Sequence, residues 1–210
     1  MSTEVTPWSG RRLEPCDVAP GGRVVAQLLR RLSRAPGRVL HSVRRRRAVV
    51  SLLARQRPAR LLVVCNGNIF RSPFAAAVLR RRLDPWGVQV ESAGFLGANR
   101  PAPPDARAAA AKRGVDLSPH RSRMVTAELA HGADLIVVMD TVQRRAICER
   151  FGRLPRDVVL LGDLDPEPLA ARTIEDPVEQ GVDVCSAVYA RIDRCVMELV
   201  SVLARLRSGR

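Results

Sequence analysis

Aromatic residues are nearly missing from this 210-residue chain: four Phe, two Trp and one Tyr make up 3% of it. A surface that holds single-stranded nucleic acid by stacking bases needs exposed rings, so no specific nucleic-acid partner is expected. Lysine is missing too, apart from Lys112; every other basic side chain is Arg, a bias that genome composition alone can produce. The longest apolar runs, such as Leu61–Cys65 and Leu135–Met139, are far shorter than the ~20 residues a bilayer-spanning helix needs. Met1–Pro20 mixes Pro, Gly and charge and has no apolar stretch of the kind a secretory signal carries. The five cysteines, Cys16, Cys65, Cys148, Cys185 and Cys195, are odd in number, and none has Cys-x-x-Cys spacing. That pattern suits neither a disulfide framework nor a zinc site and fits a reducing compartment. The expectation is a cytoplasmic protein that needs no metal and no cofactor.

What is present is unevenly placed. Residues 1–60 carry 14 Arg against three acids, a net of +11 out of the formal +14; the remaining 150 residues are nearly balanced. The expected division is a basic extension over residues 1–58, partly disordered or helical, and a globular domain over 59–210. Met1–Gly22, rich in Pro and Gly, has the composition of a disordered segment. Val24, Val25, Leu28, Leu29 and Leu32 recur at roughly helical spacing until Pro36 and Gly37 interrupt it. Residues 23–57 are expected to form a basic, partly helical, solvated tail; the sharper alternative is a surface that docks on an anionic membrane, nucleic acid or an acidic partner, with no aromatic interleaving in the stretch to support base stacking.

From Arg60 onward, short apolar runs alternate with helical stretches. Leu61–Cys65, Val88–Ser92, Asp134–Met139 and Val158–Leu161 have strand character; Ser72–Leu83, Asp105–Arg113, Thr141–Phe151 and Gly181–Leu206 have helical character. Such alternation predicts an α/β domain of three layers, a four-stranded parallel sheet flanked by helices. Ligands of these sheets bind beyond the carboxyl ends of the strands, where Cys65 falls.

The segment Val64–Pro73, V-C-N-G-N-I-F-R-S-P, carries the chemistry. A Cys six residues ahead of an Arg is weak evidence by itself, and Cys185 with Arg191 repeats the spacing inside a helical stretch that has no glycine between them. Cys65 and Arg71 differ in context. They follow a strand, enclose Gly67, and open a helix at Ser72–Pro73, where Pro is tolerated because its missing N–H would have no intrahelical partner. Inward-turned N–H groups at a helix N-terminus make an anion site, and a guanidinium can grip two phosphate oxygens at once. The same field favours the thiolate of Cys65, a nucleophile toward phosphorus.

With that loop, several further segments resemble the low-molecular-weight protein tyrosine phosphatases in order and character. These are Glu91-Ser92-Ala93-Gly94, Pro103–Arg107, Gly114–Leu117, His120-Arg121-Ser122-Arg123, Ala133–Asp140 and Ile174-Glu175-Asp176-Pro177. The resemblance spans about Leu61 to Leu206. It implies a phosphate-binding loop after the first strand and metal-free hydrolysis of phosphomonoesters, protein phosphotyrosine foremost, through a cysteinyl-phosphate. Cys65 is then the nucleophile and Asp176 the acid and base. Arg71 and the amides of Asn66, Gly67, Asn68, Ile69, Phe70 and Arg71 bind the phosphoryl oxygens. Asn68, Ser72, Ser92 and His120 support the loop, and Asp140 caps the following helix.

The chain departs from the family pattern at three places. Phe70 stands where many members have a second cysteine. Ala98, Val178 and Glu179 stand where aromatic walls commonly flank phosphotyrosine, leaving Phe70 or Phe95 as substitutes. The basic extension is additional. The implied partner is a phosphorylated protein or a small phosphomonoester, and a non-tyrosine substrate stays open. Arsenate reduction on the same scaffold is the alternative, although Val137–Arg144 supplies no relay cysteine. Ile69, where phosphoarginine-directed members have Thr, speaks against phosphoarginine. A non-catalytic phosphate-binding protein is the remaining reading.

Overall fold

The computed structural model describes Gly37 and residues 40–208. The expectations for Met1–Gly22, for the helical spacing of Val24–Leu32 and for Cys16 lie outside the described residues. The first element, α1, covers residues 40–53. It is followed by β1 (Arg60–Cys65), α2 (Arg71–Leu83), β2 (Gln89–Gly94), α3 (Pro104–Ala111), α4 (Ala127–Gly132), β3 (Leu135–Val138), α5 (Thr141–Phe151), β4 (Val158–Leu160) and α6 (Gly181–Arg207). Among the described residues no helix is long and apolar enough to cross a membrane.

The four strands form one parallel sheet in the order β2-β1-β3-β4. β1 is central and buried on both faces, which is why Leu61–Cys65 is apolar without alternation. The two-residue period of the strands sorts their side chains into two layers. Leu61, Val63, Cys65, Leu135, Val137 and Val159 join the larger apolar cluster with α2, α3 and α6. Leu62, Val64, Ile136, Val138, Val158 and Leu160 join the smaller one with α4 and α5. The chain leaves β1 toward β2 on one side and later lays β3 on the other. Cys65 ends β1 at this reversal, where the outgoing connections diverge and leave a crevice.

Two differences from the sequence reading have local causes. α4 was not anticipated: it has six residues, too few to show a period, and begins where Thr126 Oγ1 accepts from Leu129 N–H at 3.2 Å. α1 is the second. Its Leu52 is fully buried in the larger cluster, with Ala48, Val49 and Leu53 packed against that cluster. Arg45 pairs with Glu198 of α6, and Arg55 with Asp157 at 3.2 Å. The packed unit therefore reaches upstream of residue 58. The apolar positions 48, 49, 52 and 53 form one helical face, masked in the sequence by the neighbouring Arg44–Arg47.

Candidate active site

Residues 66–70, between β1 and α2, are neither helix nor strand. The turn is tight because two positions permit it. Asn68 sits at φ 51°, in the left-handed region that Asn tolerates better than most residues. Gly94, at the end of β2, lies directly against the loop; a Cβ there would stand 2.6 Å from the Asn66 carbonyl oxygen and 2.8 Å from the Asn68 nitrogen. That carbonyl accepts from Phe95 N–H at 2.7 Å and Leu96 N–H at 2.9 Å, so the β2 end fixes the loop's outer side.

Cys65 Sγ accepts from Asn68 N–H at 3.2 Å and lies 3.0 Å from Ser72 Oγ. Asn68 Nδ2 donates to Ser72 Oγ at 2.9 Å, and Asn68 Oδ1 accepts from Arg123 N–H at 3.0 Å. His120 Nε2–H donates to the Asn68 carbonyl at 2.6 Å. Burial, foremost, and the neighbouring Arg80, Arg121 and Arg123 hold the His120 imidazole below its ordinary pKa, which keeps it neutral; the bond to Asn68 works the other way. Asn68, Ser72 and His120 thus meet at the loop. The Ser92 side chain makes no hydrogen bond to the loop among the described residues. Its carbonyl accepts from Arg123 Nε at 2.7 Å, and the neighbouring Ala93 carbonyl is the one facing Ser72 Oγ, at 3.4 Å.

α2 starts with no side-chain cap and no acid in its first turn, so its N-terminal dipole stays unneutralised beside the sulfur. Arg71, the first residue of α2, is 1% exposed. Its Nη1 donates to the Ile174 carbonyl at 2.9 Å, its Nη2 to Asp176 Oδ2, and its Nε–H is buried without a partner among the described residues. An orphaned buried guanidinium N–H costs stability, and a phosphoryl oxygen in the loop would satisfy it. Ile174 N–H donates in turn to the Met139 carbonyl at 2.9 Å, tying the acidic loop to the end of β3. Burial pushes the Asp176 carboxyl above its ordinary pKa; Asp140 adds to the rise, and Arg71 opposes it. Desolvation outweighs the ion pair with Arg71, so Asp176 holds its proton to a higher pH than an ordinary carboxyl does.

Sequence reasoning missed three supports. Gln143 is almost fully buried and bridges the site: its Nε2 donates to Asp140 Oδ2 at 2.6 Å and Asn66 Oδ1 at 3.2 Å, while its Oε1 accepts from Met139 N–H at 2.9 Å. Asp140 also caps α5, with Oδ1 accepting from Gln143 N–H at 2.7 Å, and its other oxygen is 3.9 Å from Arg71 Nη1. The single tyrosine, Tyr189 of α6, donates to the Phe70 carbonyl at 3.0 Å and stacks on Phe74 with centroids 4.0 Å apart. Arg100 Nη2 donates to the Gly67 carbonyl at 2.9 Å and to the Leu96 carbonyl. Only the rarity of tyrosine could have flagged any of these.

The two substitute aromatics differ in setting: Phe70 is buried and Phe95 is half-buried. Phe70 points into the core, and Phe95 packs on the smaller cluster under the Arg150 guanidinium, 5.6 Å from its ring centroid. Leu96, two residues past Gly94, and Val178, two past Asp176, are exposed and aliphatic.

Residues 60–208 match the profile described as low molecular weight phosphotyrosine protein phosphatase. The chain belongs to the low molecular weight phosphotyrosine protein phosphatase family. Its similarity to individual phosphatases is of the same extent. Over 146 residues it is 36% identical to the low molecular weight protein-tyrosine-phosphatase Etp of Escherichia coli strain K12, covering 69% of this chain and 95% of Etp. The Erwinia amylovora tyrosine phosphatase amsI superposes with a TM-score of 0.64 at 28% identity, over 70% of this chain and 95% of that one. The arginine phosphatase YwlE of Geobacillus stearothermophilus superposes at 0.65 and 28%, over 73% and 97%. The part of this phosphatase without a counterpart in the family profile is the region ahead of residue 60, where α1 lies.

Proposed function

We propose that this phosphatase hydrolyses protein phosphotyrosine in two displacements at the β1–α2 loop. The observation that carries the reading is the partnerless buried Nε–H of Arg71, beside an uncapped helix N-terminus and the Cys65 sulfur. A phosphoryl dianion entering the loop displaces Asp176 from Arg71 Nη2 and takes both that donor and Nε. Loop amides and the guanidinium then meet the equatorial oxygens as charge builds. Cys65 Sγ attacks phosphorus, the bond to the leaving oxygen breaks, and protonated Asp176 supplies that oxygen's proton. Water then attacks the cysteinyl-phosphate, Asp176 takes its proton, and the P–S bond breaks to release inorganic phosphate and restore the thiolate.

The test is hydrolysis of a small aryl phosphate. Cys65→Ser reduces it to background; turnover surviving that change would remove Cys65 as the nucleophile. Arsenate reduction is disfavoured by the relatives, which are named tyrosine phosphatases, and by the absence of cysteine from Val137–Arg144. Despite the likeness to YwlE, Ile69 supports the tyrosine reading over phosphoarginine. The outer face of α1 exposes Val43 and Val50 beside Arg46, a pattern suited to an anionic lipid surface. Co-sedimentation with anionic but not neutral vesicles, weakened by Arg46→Glu, tests that docking; equal retention by both vesicle types counts against it.

A further inference from the structure

A second one-signed concavity lies away from the phosphate loop. A cavity of about 340 Å³ is lined by residues of α1, the start of α5, the turn before β4, and β4 itself, an edge strand of the sheet. Five guanidiniums meet there: Arg44 and Arg47 from α1, Arg144 from α5, Arg156 from the turn, and Arg172. Among the described residues Asp163 is the only acid in the lining, and both its oxygens are committed to Arg172, accepting from Nε at 2.8 Å and Nη2 at 2.6 Å. The other four arginines pair with no carboxylate among the described residues. Arg44 donates to the carbonyls of Leu40 at 3.0 Å and Gly37 at 3.1 Å, and Arg144 to that of Pro155 at 2.8 Å. Such bonds fix the direction of a guanidinium and leave its full charge in place.

Four uncompensated cations around one recess raise its potential and concentrate anions there. Guanidinium forks match phosphate oxygens in pairs, and two of these forks are already oriented by backbone carbonyls, which lowers the ordering cost of binding. The volume is at the small end of ligand pockets, ~300–1,000 Å³, suited to a compact anion rather than a peptide. We infer that this cavity is a binding site for a small polyphosphorylated anion. Arg44 and Arg47 come from α1, and Arg144 and Arg156 from the body of the domain, so the bound anion bridges α1 to the sheet and ties the upstream helix down.

The experiment uses the full chain with the phosphate loop saturated by vanadate, so that the loop does not compete, and titrates tripolyphosphate at ~150 mM salt. Calorimetry shows micromolar binding, and the melting temperature rises by several degrees beyond the vanadate-only value. In the double variant Arg47→Ala/Arg156→Ala the affinity falls about tenfold or more, the loss of one to two charge-assisted contacts, while hydrolysis of a small aryl phosphate stays within about twofold. The control Arg81→Ala/Arg82→Ala, two exposed residues of α2 outside the cavity, binds tripolyphosphate as the unmodified protein does. Absence of binding, or equal weakening by both double variants, overturns the assignment, the latter by reducing it to diffuse surface charge.

Discussion

Cys65 and Arg71 have the same spacing as Cys185 and Arg191, and the two pairs have nothing else in common. Between the first pair the backbone turns, and the Asn68 N–H points at the Cys65 sulfur; between the second it is the first half of α6, where the helix's own carbonyls take the amides. Arg71 keeps a buried N–H without a partner among the described residues. Arg191 has spent its donors on Asp165 at 3.0 Å, Thr173 at 2.7 Å and Ala171 at 2.6 Å. Burial raises the Cys185 thiol above its ordinary pKa and keeps it protonated. A sequence spacing acquires chemistry only where the backbone between its ends has hydrogen-bonding capacity left over.

The comparison can be broken most sharply at the sulfurs. Cys65→Ser abolishes aryl phosphate turnover, whereas Cys185→Ser leaves it within a few-fold and costs about 1 kcal/mol of stability by denaturant titration. Asp176→Asn, for which the second pair has no equivalent, lowers kcat by roughly 10²–10⁴. It also removes the alkaline fall of the pH profile, because the acid must be protonated in the first step and its activity is lost as pH rises through its raised pKa. Arg71→Lys loses on the order of 10²–10³ in kcat/KM with little change in melting temperature. Arg191→Lys does the reverse, costing about 1–2 kcal/mol through the lost guanidinium bonds to Asp165 and to the Thr173 and Ala171 carbonyls, with Arg194 still pairing Asp165, and leaving turnover nearly intact. Tyr189→Phe links the two pairs, since its hydroxyl bonds the Phe70 carbonyl and its helix carries Cys185; loss of that bond costs about 1 kcal/mol and a few-fold in kcat. The smallest effect is that of Asp140→Asn. With one charge that raises the Asp176 pKa removed, the alkaline limb moves to lower pH, while Asn still caps α5.

The sheet was legible because five buried positions in β1 leave no room for alternation, and the loop because Gly67, Ser72 and Pro73 each serve a local need of backbone turning into helix. Asp176 was legible only through its setting in Ile174–Pro177. The supports contributed by Gln143, Tyr189 and Arg100 were not, because each acts over a long chain separation and through a backbone carbonyl or a buried amide that no spacing records. At the end of β2 it is the backbone of Ala93, next to Ser92, that makes the contact with Ser72, and a carbonyl contact of that kind leaves no mark in a sequence. α1 was read as solvated because four consecutive arginines hide a face built on Leu52, which charge counting cannot see.

That face has a practical consequence. A chain shortened to the length of the relatives it matches loses Leu52 along with Ala48, Val49 and Leu53, and bares the greasy patch on which they sit. The trimmed protein should be stickier than the whole: prone to self-association on a sizing column at concentrations where the intact chain runs as a single species, with its chemistry undisturbed.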